Sequence, residues 1–220
     1  MSWLPLFRPE INFPDYIQNY LDQDFNISSK TPVSELEFVV IDAETTGLDK
    51  QDQLVTLGGV EVSNYSIDLS HVLDQRYEHQ TKAEAATVHG ELGKAGHKSE
   101  EQNFRELLEY VSNKIIIGHQ VSFDIGKINQ SIAAKYPGFK LANKTLDTFQ
   151  LMMRLDRQRY ERQVGGGNAL QLDEICKEFG ISVENRHTAL GDAYMTAQVL
   201  LFILARLEAR GVSTAGDLLR

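Results

Sequence analysis

Asp42 and Glu44 stand two residues apart at the end of an apolar, β-branched run, Phe38 to Ile41. Side chains alternate along a strand, so positions i and i+2 project to one side and the two carboxylates share a face. Like charges so placed raise each other's pKa, which costs stability unless a cation or a base neutralises them. A divalent metal would do so; the plainer alternative is a strand end fraying into solvent with two exposed acids. Thr45, Thr46, Gly47 and Leu48 follow as a sharp turn, bringing hydroxyls and backbone beside the acids where a substrate could meet them. Asp124 lies directly after a second buried run and inside the first turn of a helix around Ile125, where an acid also serves simply to complement the helix dipole. His187 and Asp192 are five apart, the Asp near the start of the last helix and the His just ahead of it. Both can face one cleft, although a single His beside a helix start is commonly a cap or surface residue.

The elements that must position these side chains are readable from periodicity. Phe38 to Ile41 is short, β-branched and flanked by polar residues, as a central strand buried on both faces should be. Leu54 to Val62 and Ser66 to Val72 follow as two strands joined at Asn64 and Tyr65, giving an antiparallel meander. Phe104, Leu107, Leu108 and Val111 mark a helix preceded by Ser99 and Gln102 at capping-box spacing, and Lys114 to Ile117 is a buried strand. Three further helical stripes run through Ile125, Ile128 and Ile132, through Leu172, Ile175, Cys176 and Phe179, and through Ala193, Ala197, Leu200, Leu204 and Leu207. Three strands in a row, then strands alternating with helices, predict an α/β domain with a mixed sheet flanked by helices over residues 36–210. Residues 1–35 are set apart by four of the five prolines and hold a short amphipathic helix with Phe13, Tyr16, Ile17, Tyr20 and Leu21 on one face. That face is expected to dock on the same chain, with a partner-binding helix as the alternative, and residues 211–220 form a C-terminal tail.

Composition narrows the class. With 220 residues, 42% hydrophobic and 24% charged, the chain can bury a sizeable core, which excludes wholesale disorder. No stretch approaches the ~18 consecutive apolar residues of a membrane span. A lone Cys176 and an N-terminus without a secretory pattern predict a cytoplasmic location with no membrane partner. The net charge of −9 has the wrong sign for gripping nucleic acid by a broad basic face. It leaves room for a nucleic-acid enzyme whose carboxylates hold divalent cations.

Three segments, Asp42-Ala43-Glu44-Thr45-Thr46-Gly47-Leu48, Gly118-His119-Gln120 through Phe123-Asp124, and His187 through Asp192-Ala193, resemble in sequence and order the motifs of the DEDDh 3′→5′ exonucleases. The first motif is most similar to that of the proofreading epsilon subunits of bacterial DNA polymerase III, and less so to the oligoribonucleases. The resemblance spans about Leu36 to Ala209 and implies an RNase H-like fold: an antiparallel meander, then parallel strands. It implies Asp42, Glu44, Asp124 and Asp192 as ligands of two Mg²⁺ (or Mn²⁺) and His187 as general base. Mg²⁺ takes oxygen ligands and retains waters and substrate phosphate oxygens, so a few carboxylates suffice. An imidazole, with a reference pKa of ~6.5, takes a proton near neutral pH. The implied reaction is hydrolysis at the 3′ end of single-stranded nucleic acid, DNA preferred over RNA, releasing nucleoside 5′-monophosphates. RNA is the alternative substrate, a fold-retaining scaffold subunit is the alternative class, and a polymerase or replisome partner follows from the epsilon likeness.

Other positions take their meaning from the same resemblance. It implies substrate contacts for Thr45, Leu48 and His119, with Leu48 wedged at the terminal base; the alternative for Leu48 is a core plug. Gln120 departs from the usual Asn. Asp147 is expected to support the site without ligating, and His89-Gly90 resembles a further landmark. Arg154, Arg157, Arg159 and Arg162 run up to a Gly-rich stretch and suit either a backbone contact or a solvated face, since Asp156 and Glu161 are interleaved. Gln198 to Phe202 superficially matches a clamp-binding peptide, but its Leu200 belongs to the last helix's apolar stripe.

Overall fold

The computed structural model describes residues 12–77, 98–156, 158, 161, 170–183 and 186–220. His89-Gly90, Arg157, Arg159, Arg162 and the Gly-rich stretch lie outside them. The first strand, β1 (Glu37–Thr45), pairs antiparallel with β2 (Leu54–Ser63), which pairs antiparallel with β3 (Ser66–Arg76). On its other side β1 pairs parallel with β4 (Ile115–Gly118), and β4 pairs parallel with β5 (Thr145–Asp147). The described sheet therefore runs β3-β2-β1-β4-β5, the mixed arrangement of an RNase H-like fold.

Alternation along β1 feeds two cores. Phe38 and Val40 join Val60, Val62, Ile115 and Ile117 on one face. That face is covered by α4 (Thr148–Leu155), α5 (Leu172–Phe179) and α6 (Ala189–Glu208). Val39 and Ile41 join Leu57, Leu73 and Ile116 on the other face. It is covered by α1 (Asp15–Leu21), α2 (Glu100–Val111) and α3 (Ser122–Lys135). Each buried aliphatic or aromatic side chain contributes on the order of 1.5–3 kcal/mol, so the two layers pin the central strand from both sides.

The β2–β3 turn places Asn64 and Tyr65 at φ 47° and 57°, the pairing of left-handed residues that suits a two-residue hairpin. β3 extends past Val72 because Gln75 turns inward, where its Nε2 donates to the Asn103 carbonyl at 2.9 Å. The capping box at α2 is present: Ser99 Oγ accepts from Gln102 N at 3.2 Å, and Gln102 Oε1 accepts from Ser99 N at 2.7 Å. Helix α1 buries Tyr16, Ile17 and Tyr20 on the same chain. The Tyr20 hydroxyl donates to Asn143 Oδ1 at 2.5 Å and accepts from Ala142 N at 2.8 Å.

Two segments outside the sheet meet each other. Val33 N donates to the Ser213 carbonyl at 2.9 Å, Ala215 N to Thr31 at 2.7 Å and Gly216 N to Ser29 at 2.9 Å. The short helix α7 (Ala215–Leu218) then buries Ala215 and Leu218 in the core beneath α4 and α6. Helix α6, with 20 residues and a mean hydropathy of 1.3, is long and apolar enough to cross a membrane. Its Val199, Leu200, Ile203 and Leu204 are instead buried against the sheet. The same burial removes the clamp-peptide match, since Gln198–Phe202 is helical with Leu200 wholly covered.

Candidate active site

The centre assembles at the end of β1. Asp42 pairs across the ladder with Gly58 of β2, and the first turn of α6 lies directly on that glycine. A Cβ there would stand 2.2 Å from Leu190 N and 2.3 Å from the Ala189 carbonyl carbon, so only glycine admits the approach. The approach lowers Asp192 onto the strand. Carboxylate oxygens of Asp42, Glu44 and Asp192 all lie within 4.8 Å of one another. Asp124, in the first turn of α3, stands beside this group: its Oδ1 accepts from Ala43 N, between the two strand acids, at 3.1 Å. The four acids, drawn from three distant stretches of chain, thus meet at one place.

Electrostatics make the cluster costly without a cation. Burial, then the charges of Asp124, Asp192 and Glu44, push Asp42 well above the usual carboxylate range, against the pull of Arg186. Burial pushes Asp124 up to about 8, opposed by the Ala43 N–H. Asp192 is raised by burial, with Arg186 opposing. Its Oδ2 accepts from Arg186 Nη1, while Oδ1 is buried with no hydrogen-bond partner among the described residues. A buried acceptor left open is expensive. An all-oxygen donor set with an open, buried carboxylate oxygen fits a hard divalent cation.

Arg186 was not singled out by sequence reasoning. Its guanidinium also donates through Nε to Asp173 at the start of α5, tying that helix to Asp192. The only signal in the sequence is its place immediately before His187. His187 itself is exposed at the lip of the cluster with φ 65°, and its backbone N–H faces the Asp192 carboxylate.

The remaining positions divide. Leu48 is 86% exposed at the tip of the β1–β2 loop, so it is no core plug. Thr45 Oγ1 donates to the Gly47 carbonyl at 2.6 Å and closes the turn beneath it. His119, expected at the substrate, has both ring nitrogens engaged within the protein. Burial lowers its pKa and keeps the ring neutral. Nε2 donates to the Leu170 carbonyl at 2.9 Å, and Nδ1 lies 3.0 Å from Thr148 Oγ1, whose hydroxyl also meets the Gly118 carbonyl at 3.1 Å. The ring braces α4 against the start of α5. Gln120 adopts φ 64°, a backbone that Asn tolerates better, and its N–H is held by Asp147 Oδ1 at 2.9 Å. The same oxygen caps α4 through Phe149 N at 2.9 Å, and the Asp147 charge adds to the upward push on Asp124. Arg154 is spent on α7, donating to the carbonyls of Asp217 and Leu218 at 2.8 and 3.2 Å.

This fold is that of a known class. The Exonuclease family (RNase_T) matches residues 39–200, and the chain belongs to that family. Among its relatives, the DNA polymerase III epsilon subunit of Aquifex aeolicus is 31% identical over 173 residues, covering 77% of this chain and 81% of that protein. The PolC-type DNA polymerase III of Clostridium perfringens is 27% identical over 175 residues, covering 78% of this chain, which spans 11% of that polymerase's length. Among solved structures, the zinc-bound E. coli ExoI–ssDNA complex superposes with a TM-score of 0.62 at 17% identity, covering 79% of this chain and 41% of that one. That likeness corroborates the fold.

Proposed function

We propose that this chain is a metal-dependent 3′→5′ exonuclease that trims single-stranded DNA from its 3′ end and releases nucleoside 5′-monophosphates. The observation that carries the reading is the approach of the Asp42, Glu44 and Asp192 oxygens to within 4.8 Å, with Asp192 Oδ1 buried and without a hydrogen-bond partner among the described residues. Asp42, Glu44, Asp124 and Asp192 would hold two divalent ions, Mg²⁺ or Mn²⁺. Bound there, such ions supply a lowered pKa for the attacking water and charge stabilisation for the departing 3′-oxygen. His187, exposed beside Asp192, accepts the water's proton on its imidazole. Leu48 and the Thr45 turn meet the terminal nucleotide, Leu48 through apolar contact with the base.

The acidic chain has few cations to spread along a long duplex, which supports action at an end. The epsilon and PolC relatives support a polymerase or replisome partner and a cytoplasmic setting. The test is digestion of matched DNA and RNA oligonucleotides with free or blocked 3′ ends, in Mg²⁺, Mn²⁺ or chelator. Loss of 5′-monophosphate release on 3′ blocking and on chelation is expected. A preference for RNA would reassign the substrate, and cleavage of 3′-blocked DNA would overturn the polarity.

A further inference from the structure

Helix α3 carries a second charged side chain toward the site, one turn beyond Asp124, and its environment is unusual for a lysine. Lys127 is only 6% exposed. Its ammonium donates to the backbone carbonyls of Asp49 at 2.6 Å and Asp52 at 2.8 Å, and lies 5.5 Å from the centre of the Phe123 ring. Burying an ammonium is costly unless its protons are satisfied. Here two of them are used to draw together two points of the loop that joins β1 to β2.

That loop is heavily cross-tied. Thr46 Oγ1 donates to Asp52 Oδ1 at 2.9 Å and accepts from Gln53 N at 3.0 Å. Asp49 N donates to Asp52 Oδ2 at 2.7 Å, and Asp52 N to the Asp49 carbonyl at 3.1 Å. Asp52 packs so closely on Gly47 that a Cβ there would stand 2.5 Å from its Oδ2. What this well-tied loop presents is Leu48, the most exposed large apolar side chain among the described residues. An apolar side chain held out in water by so many bonds implies a contact made elsewhere than in the core. Meanwhile Asp124, on the same helix, is fastened to β1 at Ala43. Helix α3 therefore grips the acid-bearing strand with one residue and the Leu48 loop with the other.

We propose that Lys127 is a positioning residue that sets Leu48 at a fixed distance from the acid cluster and so governs binding of the 3′-terminal nucleotide. The inference rests on the exonuclease reading above. Lys127 touches neither metal nor substrate; it acts through the loop. Its contribution is binding that is equal in ground and transition states, so it belongs in KM and not in kcat.

The experiment compares wild type with Lys127→Met, Lys127→Arg, Leu48→Ala and the Met/Ala double variant on a single-stranded DNA oligonucleotide in Mg²⁺. Mn²⁺ affinity and amide exchange over residues 47–53 are measured in parallel. Lys127→Met is expected to raise KM ~10-fold, the scale of one lost leucine contact, with kcat within about twofold. It should speed exchange in the loop and leave Mn²⁺ affinity unchanged. Lys127→Arg, which keeps charge and donors, should recover most of the KM. In the Leu48→Ala background the Met change should add nothing further, because both remove one contact. An active wild type with unchanged KM in Lys127→Met, or a full additional effect in the double variant, overturns the positioning role alone. A wild type inert on every oligonucleotide overturns the exonuclease reading and this role with it.

Discussion

Asp42 and Gly58 face each other across the β1–β2 ladder, and the backbone of α6 lies on the glycine at a distance no Cβ permits. The glycine thereby controls how near Asp192 comes to Asp42. Gly58→Ala must lift the first turn of α6, at about 2 kcal/mol for overpacking, or roughly 4–8 °C in Tm for a chain of this size. Mn²⁺ affinity should fall with it. Thermal melts and an Mn²⁺ titration check both; an unaltered affinity would mean that Asp192 is set by some other contact.

Removing a repelled acid should separate catalysis from folding. Asp42→Ala is expected to abolish turnover while its Tm in chelator at about pH 8 equals or exceeds that of wild type, because a buried charge held among like charges is gone. Oligonucleotide digestion at the wild-type rate would remove Asp42 from the metal set.

Stability should respond to pH in an unusual direction. Asp124 rises from its ordinary 3.8 to about 8 on folding, and Asp42 and Asp192 rise as well. Between those values the folded protein binds more protons than the unfolded chain, so stability is greatest at the acid end of the window and is lost as pH climbs. Melts in chelator from about pH 5 to pH 8 should show a falling Tm. Added Mg²⁺ should flatten or reverse the fall, since cations bind the ionised carboxylates. A chelated Tm that rises over this range would contradict the burial of the acids.

His187 can be tested without disturbing its backbone. At φ 65°, Asn is tolerated better than most residues, so His187→Asn removes the imidazole and keeps the turn. kcat should drop by ~10²-fold or more, within the range of a lost general base. Mn²⁺ affinity and Tm should stay near wild type because the side chain is exposed. A variant that retains full kcat would assign the proton to another acceptor.

What the sequence disclosed follows from which interactions are local. The buried run Phe38–Ile41, the Asn64-Tyr65 turn and the Ser99/Gln102 cap each depend on neighbours along the chain, and all three are in the structure. The acids could be gathered because strand alternation and helix starts aim them, and because their order resembles a known family. The packing of His119 was not foreseen because its partners, Thr148 and Leu170, lie 29 and 51 residues away, invisible to spacing. Lys127 looks like an ordinary solvated lysine until the loop 75 to 78 residues earlier folds over it. Arg186 likewise gains meaning only through Asp173 and Asp192. Charged side chains whose partners arrive by tertiary folding leave no periodic trace.

The bonds from Ser29, Thr31 and Val33 to Ser213, Ala215 and Gly216 stitch the segment leading into the sheet to the one leaving the last long helix. Opening and closing of the two arms are consequently shared events: a protease that clips one should loosen the other, and neither can peel away alone.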